Sequence, residues 1–209
     1  MAVIEAMTTN ETLWFRDQHP FSNLVEKILP DLTSKSSSLN IWSAACSTGQ
    51  EPYSIAMTIQ KYLKNNPEKK LSYRIRATDI SEHALDRCRE GVYDEYDLSR
   101  GLSDEQRTQY FEPQPNHKLQ VKQALRHSIK FDPLNLIHSF KQLGSFDLVF
   151  CRNVLIYFPR SVKNDILQRI HDALRPGGYM LLGASESVRG LGDIFEMIPC
   201  DYGIVYRKR

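Results

Sequence analysis

The sequence predicts an α/β fold: an open, mostly parallel sheet with helices on both faces and a mixed edge. Three observations predict it. From Leu39 onward, short apolar runs of strand length alternate with amphipathic helical segments. Three of those runs end in small or polar residues, at Ala44–Glu51, Ala77–Ile80 and Cys151–Phe158. In open α/β sheets that carboxyl edge is where ligands bind. Finally, the chain closes on two apolar segments, 195–198 and 202–205, spaced as an antiparallel pair.

The elements follow in order. Phe21, Leu24, Val25, Ile28 and Leu29 set a helical period over 21–32, expected to end near Pro30. A polar break at 34–38 leads to a buried strand over 39–45. That strand runs into Cys46-Ser47-Thr48-Gly49-Gln50-Glu51, and Pro52 opens a helix with Ile55, Ala56, Ile59 and Leu63 on one side. A second strand over 73–79 ends on Asp79, and Ser81 reads as the N-cap of a helix over 82–89. Residues 94–129 interrupt the alternation. Their turn-rich middle, 112–117, is flanked by short strands expected at 108–111, 119–121 and 128–131, so an inserted subdomain is expected over about 94–131. The pattern resumes with a strand over 146–151 and a helix over 161–174 carrying Val162, Ile166, Ile170 and Leu174. Arg175-Pro176-Gly177-Gly178 stops that helix ahead of a strand over 179–183.

Composition bounds the function. The chain has 209 residues, 41% hydrophobic and 25% charged, values that exclude wholesale disorder. Lys and Arg total 27 against 25 Asp and Glu, a net charge of +2, which gives no support to nucleic-acid binding. No run approaches the ~18 apolar residues of a membrane span, and the first seven residues lack the basic start and apolar core of a signal peptide. Cys46, Cys88, Cys151 and Cys200 are scattered without a C-x-x-C pair, as in a reduced cytoplasmic protein. The six histidines show no ligand spacing with each other or with the cysteines, so no metal is expected.

The three strand ends carry the candidate chemistry. The first loop is too poor in glycine for a P-loop or a G-x-G-x-x-G turn, and Glu51 stands at the helix mouth where a phosphate site would favour a cation. That points to a ligand with a cationic group; a plain packing turn is the alternative. Asp79, closing the second strand, suits the two hydroxyls of a ribose, or else caps the next helix. In the third, polar Arg152-Asn153 precedes an apolar run with one phenol, Tyr157, which is a ligand-facing hydroxyl or a core tyrosine. Gly183-Ala184-Ser185-Glu186-Ser187 has part of a nucleophile elbow but lacks its last glycine and a following helix.

Taken together, 8–17 (TTNETLWFRD), 43–54 (SAACSTGQEPYS), 77–81 (ATDIS) and 151–158 (CRNVLIYF) resemble the CheR-type chemotaxis protein methyltransferases. Leu174-Arg175-Pro176-Gly177-Gly178 and Gly183-Ala184-Ser185-Glu186 extend the likeness over nearly the whole chain. The resemblance implies a Rossmann-like class I methyltransferase fold with a seven-stranded sheet over 39–209, and residues 1–38 as an N-terminal segment and helix. It implies methyl transfer from S-adenosylmethionine to glutamates on chemoreceptor signalling helices, with S-adenosylhomocysteine as product. Ala45 and Glu51 would hold the methionine moiety, Asp79 the ribose, and Asn135 and Leu136 the adenine, with Asn153 near the cofactor. Asn10, Thr12, Arg16 and Tyr157 would line the methyl-transfer site, Arg16 and Tyr157 being the catalytic candidates.

There are departures. Family members usually carry a helical N-terminal domain, whereas seven residues precede Thr8 here. Ala45 stands where glycine is common, Gln50 where glutamate is, and Ala184 where histidine is. The short turn around Gln114-Pro115-Asn116-His117 argues against gripping a receptor's C-terminal tether. A monomer acting in the cytoplasm at receptor arrays is expected. A non-catalytic module sensing S-adenosylmethionine or S-adenosylhomocysteine is the alternative.

Overall fold

A computed structural model describes residues 11–188, 191–201 and 203–209. The N-terminal helical segment α1 is assembled from His19–Asn23, a π-helical turn Leu24–Ile28 and Leu29–Lys35. It therefore passes through Pro30 instead of ending there. The wide turn comes immediately before the proline, with Leu29 N–H reaching back five residues to the Leu24 carbonyl, and Pro30 begins the last helical stretch.

The large sheet contains β1 (Ser38–Ala44), β2 (Ser72–Asp79), β6 (Ile129–Pro133), β7 (Phe146–Cys151), β8 (Leu174–Leu182), β9 (Phe195–Cys200) and β10 (Gly203–Lys208), in the order β6-β2-β1-β7-β8-β10-β9. All pairs are parallel except β10, which runs antiparallel to both β8 and β9. The helices α2 (Gln50–Asn65), α3 (Glu82–Glu90) and α7 (Arg160–Ala173) connect them. Every residue of β7 is buried, which explains its apolar stretch Leu148–Cys151; the one charged residue, Asp147, is paired with Arg175. One core, around Leu24, Ile41, Tyr53 and Phe150, lies under α1 and α2; the other, around Trp42, Phe140, Ile166 and Ile170, lies under α7.

Ala44 is in register with Thr78 of β2 and Cys151 of β7, so these three strands end level with one another. The chain moves outward from β1 to β2 and β6, then returns to the other side of β1 with β7. This reversal opens the ligand crevice between the strand ends.

A small antiparallel sheet, β3-β5-β4, is built from β3 (Val92–Tyr93), β4 (Phe111–Gln114) and β5 (Lys118–Val121), with short helices α4 (Glu95–Ser99), α5 (Asp104–Tyr110) and α6 (Gln123–Arg126). Two expectations change here. Residues 108–110 are helical, because Ser103 and Gln106 form a reciprocal capping box that starts α5. Residues 129–131 belong to β6 in the large sheet, paired with β2, so the small sheet ends at Val121. The stop at Arg175–Gly178 is an irregularity within β8, where the pairing with β7 jumps between Phe146 and Leu148. Arg175 spans it by donating to both carboxylate oxygens of Asp147 at 2.9 and 2.8 Å.

Trp14 fixes the N-terminal segment to the body. It is 1% exposed and packs edge-on against Tyr93 and Phe111, while its backbone N–H donates to the carbonyl of Arg100 at 3.1 Å. Gly101, at φ 112°, allows this approach, since a Cβ there would overlap the Trp14 carbonyl oxygen. Gly101→Ala is therefore expected to cost about 2 kcal/mol and to lower the thermal midpoint by roughly 4–8 °C. Differential scanning calorimetry checks this, and an unchanged midpoint would contradict the packing described.

Candidate functional site

The first strand end is a strained turn. Ala45 and Ser47 both occupy the left-handed region, at φ 58° and 50°, followed by Gly49 at 97°. Such conformations cost of order 1–2 kcal/mol in non-glycine residues and persist only when neighbours hold them. Here Cys46 N–H donates to the Thr78 carbonyl at 2.9 Å, and Ser47 N–H to Asp79 Oδ2 at 2.7 Å. The Tyr93 hydroxyl donates to the Thr48 carbonyl at 2.7 Å. The glycine expected at position 45 thus has a physical reason, and Ala45 bears its absence.

Asp79 ends β2 with both oxygens engaged, Oδ1 accepting from Ser81 N–H at 3.0 Å. Burial pushes its carboxyl pKa up, against the pull of the backbone N–H groups of Ser81, Ser47 and Ile80. Capping of α3 falls to Ser81, whose hydroxyl accepts from Ala84 N–H at 3.2 Å. Asp79 keeps lone pairs free for a ligand.

Glu51 lies in the first turn of α2. It accepts from the Ser43 hydroxyl at 2.8 Å through Oε1 and from Arg152 Nη1 at 3.0 Å through Oε2. Burial raises its pKa, and the Arg152 charge and the Ser43 and Arg152 hydrogen bonds oppose this. The side chain of Arg152 is 1% exposed. Its Nη2 donates to Asp17 Oδ2 at 2.7 Å and to the Arg16 carbonyl at 2.9 Å, so one guanidinium joins the N-terminal segment, β7 and α2. Arg152 Nε is buried without a hydrogen-bond partner.

At the third strand end Asn153 is left-handed, at φ 57°, and leads into a 3₁₀ turn, Leu155–Tyr157. Tyr157 is 63% exposed, which rules out its reading as a core tyrosine. Arg16 Nη1 donates to the Glu11 carbonyl at 2.9 Å. The carboxylates that might have paired with Arg16 are committed elsewhere, Asp17 to Arg152 and Glu11 to Arg100.

These parts enclose a cavity of about 550 Å³. Thr12, Arg16, Ala45, Glu51, Asp79, Asn135, Leu136, Asn153 and Tyr157 all line it. Asn10 lies outside the described residues. The loop with Asn135 and Leu136 is held to the site by Leu134 N–H, which donates to the Asp79 carbonyl at 2.8 Å. Cys46 is also on the wall, and burial pushes its thiol and that of Cys151 well up, so neither presents a thiolate nucleophile at neutral pH. Among the described residues no cluster of His, Cys, Asp and Glu is arranged to hold a metal.

Residues 10–204 match the family described as "CheR methyltransferase, SAM binding domain". The chain belongs to the CheR methyltransferase family. It is 50% identical over 209 residues to "Chemotaxis protein methyltransferase 1" of Vibrio cholerae, covering 100% of this chain and 76% of that protein. It is 37% identical over 190 residues to "Chemotaxis protein methyltransferase" of Escherichia coli, covering 89% and 64%. Among solved structures, the N-methyltransferase NodS from Bradyrhizobium japonicum in complex with S-adenosylhomocysteine aligns at TM-score 0.54 and 14% identity, covering 92% of this chain and 86% of that one. Magnesium protoporphyrin IX methyltransferase from Synechocystis aligns at 0.51 and 14%, covering 92% and 77%. These two likenesses show the class I methyltransferase fold.

Within this CheR methyltransferase domain, sequence reasoning passed over Arg152 as a site residue. It noted only a polar break there, although an arginine inside an apolar strand-end segment was itself the available signal. Burial raises the pKa values of Glu51 and Asp79, so their ionised forms are lost, on acidification, above the ordinary carboxylate value of ~4. Affinity for a cationic nucleoside is therefore expected to fall on acidification at a higher pH than that at which ordinary surface carboxylates titrate. Calorimetric titration with S-adenosylhomocysteine, whose amino group stays charged, checks this. Affinity constant down to pH 4 would contradict the raised values.

Proposed function

We propose that this domain transfers a methyl group from S-adenosylmethionine to glutamate side chains on chemoreceptor signalling helices, in the cytoplasm at receptor arrays. One observation carries the reading: Glu51 and Asp79 line a single cavity with Arg16 and Tyr157. The relatives named chemotaxis protein methyltransferases support the same substrate class.

The residues present fit the cofactor. Asp79 offers acceptor capacity for ribose hydroxyls, and Glu51 a carboxylate for the amino group. Asn135 and Leu136 offer a polar and an apolar contact for adenine. Arg152 also lines the cavity, and its guanidinium balances the charge of Glu51 there. When bound, S-adenosylmethionine supplies an electrophilic methyl group on a sulfonium sulfur.

The remaining work falls to this chain. A glutamate carboxylate, with an ordinary pKa of ~4.3, is already ionised at neutral pH and needs no general base. Among the described residues, no histidine lines the cavity. Arg16 positions the incoming carboxylate with a planar guanidinium free of any carboxylate partner among the described residues. Tyr157 orients it by a hydroxyl hydrogen bond. Leu13, Val154 and Phe158 line the same cavity and help exclude water. Exclusion favours a step in which opposite charges neutralise, and alignment of the reacting atoms contributes on the order of several kcal/mol.

Incubating the protein with methyl-labelled S-adenosylmethionine and receptor cytoplasmic fragments tests the reading. Base-labile label on glutamates is the expected result; label absent from the receptor would overturn it. Arg16→Ala is expected to lower transfer by on the order of 100-fold through lost positioning, while S-adenosylhomocysteine affinity falls far less. Equal losses would remove Arg16 from the positioning role.

A further inference from the structure

We infer that Glu186 is a positioning residue for methyl transfer, holding the turn that carries Asn153 and Tyr157. This rests on the methyltransferase reading above. Glu186 is the acid of the Gly183–Ser187 segment, which has no nucleophilic role in the site. Its carboxylate gathers five backbone donors. Oε2 accepts from Asn153 N–H at 2.8 Å and from Gly183 N–H at 2.8 Å. Oε1 accepts from Val154, Leu155 and Ile156 N–H at 3.0, 2.7 and 3.3 Å.

Four of those donors are consecutive, Asn153 to Ile156. A run of N–H groups converging on one point is an anion-binding nest. Here the anion comes from the same chain, 30 or more residues later. The nest explains how non-glycine Asn153 is held left-handed, and why the 3₁₀ turn after it needs no side-chain cap of its own. Tyr157 is the last residue of that turn and Asn153 precedes its start, so the carboxylate fixes both.

Gly183 belongs to the same device. A Cβ on it would stand 2.7 Å from Glu186 Oε2 and 2.9 Å from both Asn153 N and Nδ2, so only glycine lets the carboxylate seat. Glu51 is tied to Ser43 of β1 and to Arg152, and Asp79 to the Ser47 and Ser81 N–H groups; they share none of these bonds. The two ends of the cavity are therefore held by different sets of hydrogen bonds. Glu186 governs the end with Tyr157, and the other network governs the nucleoside end.

Glu186→Gln tests this. An amide keeps one acceptor oxygen and turns a donor group toward backbone donors, so part of the nest is left unsatisfied. The expected result is a kcat for glutamate methylation lowered roughly 10–100-fold by misplacement of the turn, with S-adenosylhomocysteine Kd changed by less than about threefold. Hydrogen–deuterium exchange read at the Val154–Ile156 amides should quicken by about tenfold or more, with α2 and β2 unchanged. This readout needs no substrate, so it stands even if the glutamate assignment fails.

Wild-type kcat in Glu186→Gln, loss of S-adenosylhomocysteine affinity in proportion to kcat, or unchanged exchange at those amides would each overturn the role. Gly183→Ala, which leaves Glu186 in place but obstructs its seat, should reproduce the same split. It also serves as the test if Glu186→Gln does not fold.

Discussion

The site depends on one buried guanidinium. Arg152 sits at the end of β7 and neutralises Glu51 of α2 while holding Asp17 and the Arg16 carbonyl. Taking these charges out of water is costly, and such a pair is not by itself a source of net stability. Its value here is geometric. Removing the guanidinium would leave Glu51 buried without a counter-charge, with Glu186 adding repulsion. Breaking buried pairs of this kind typically costs ~3–5 kcal/mol. The same change would remove two of the hydrogen bonds that tie the segment carrying Arg16, leaving it held by Trp14 and by Phe15 N–H on Ser54.

Backbone strain is the second constraint. Ala45, Ser47 and Asn153 are left-handed, and each is held by hydrogen bonds to a side chain or to a neighbouring strand. Asp79 holds the first turn and Glu186 the third. Acids at the strand ends thus do structural work, and Asp79 does it while keeping acceptor capacity toward the cavity. The sheet supplies the rigid frame, since β1, β2 and β7 end in register.

Much of this was legible in the sequence where the signal was local. Strand runs ending in Ala44, Asp79 and Cys151 located the crevice; Glu51 stood out as an acid where a phosphate site would favour a cation, and Asp79 as an acid closing the second strand, suited to ribose hydroxyls. What escaped was long-range. Arg152 meets Glu51 from 101 residues away, and Glu186 meets Val154 from 32, so no period or spacing displays either. Helix α5 was missed for a different reason: Thr108 to Phe111 has strand-like composition, and the Ser103–Gln106 capping box outweighed it. The passage of α1 through Pro30 depends on a π-helical turn that apolar periodicity does not encode.

The central claim is that Glu51 and Asp79 clasp one amino-acid-bearing nucleoside between them. A crystal structure of the protein with S-adenosylhomocysteine tests it most directly. The ligand is expected to span the cavity with its ribose hydroxyls on Asp79 and its amino group at Glu51, and with the N-terminal segment still tied to Arg152. A ligand seated elsewhere, or one touching only one of the two carboxylates, would contradict the claim.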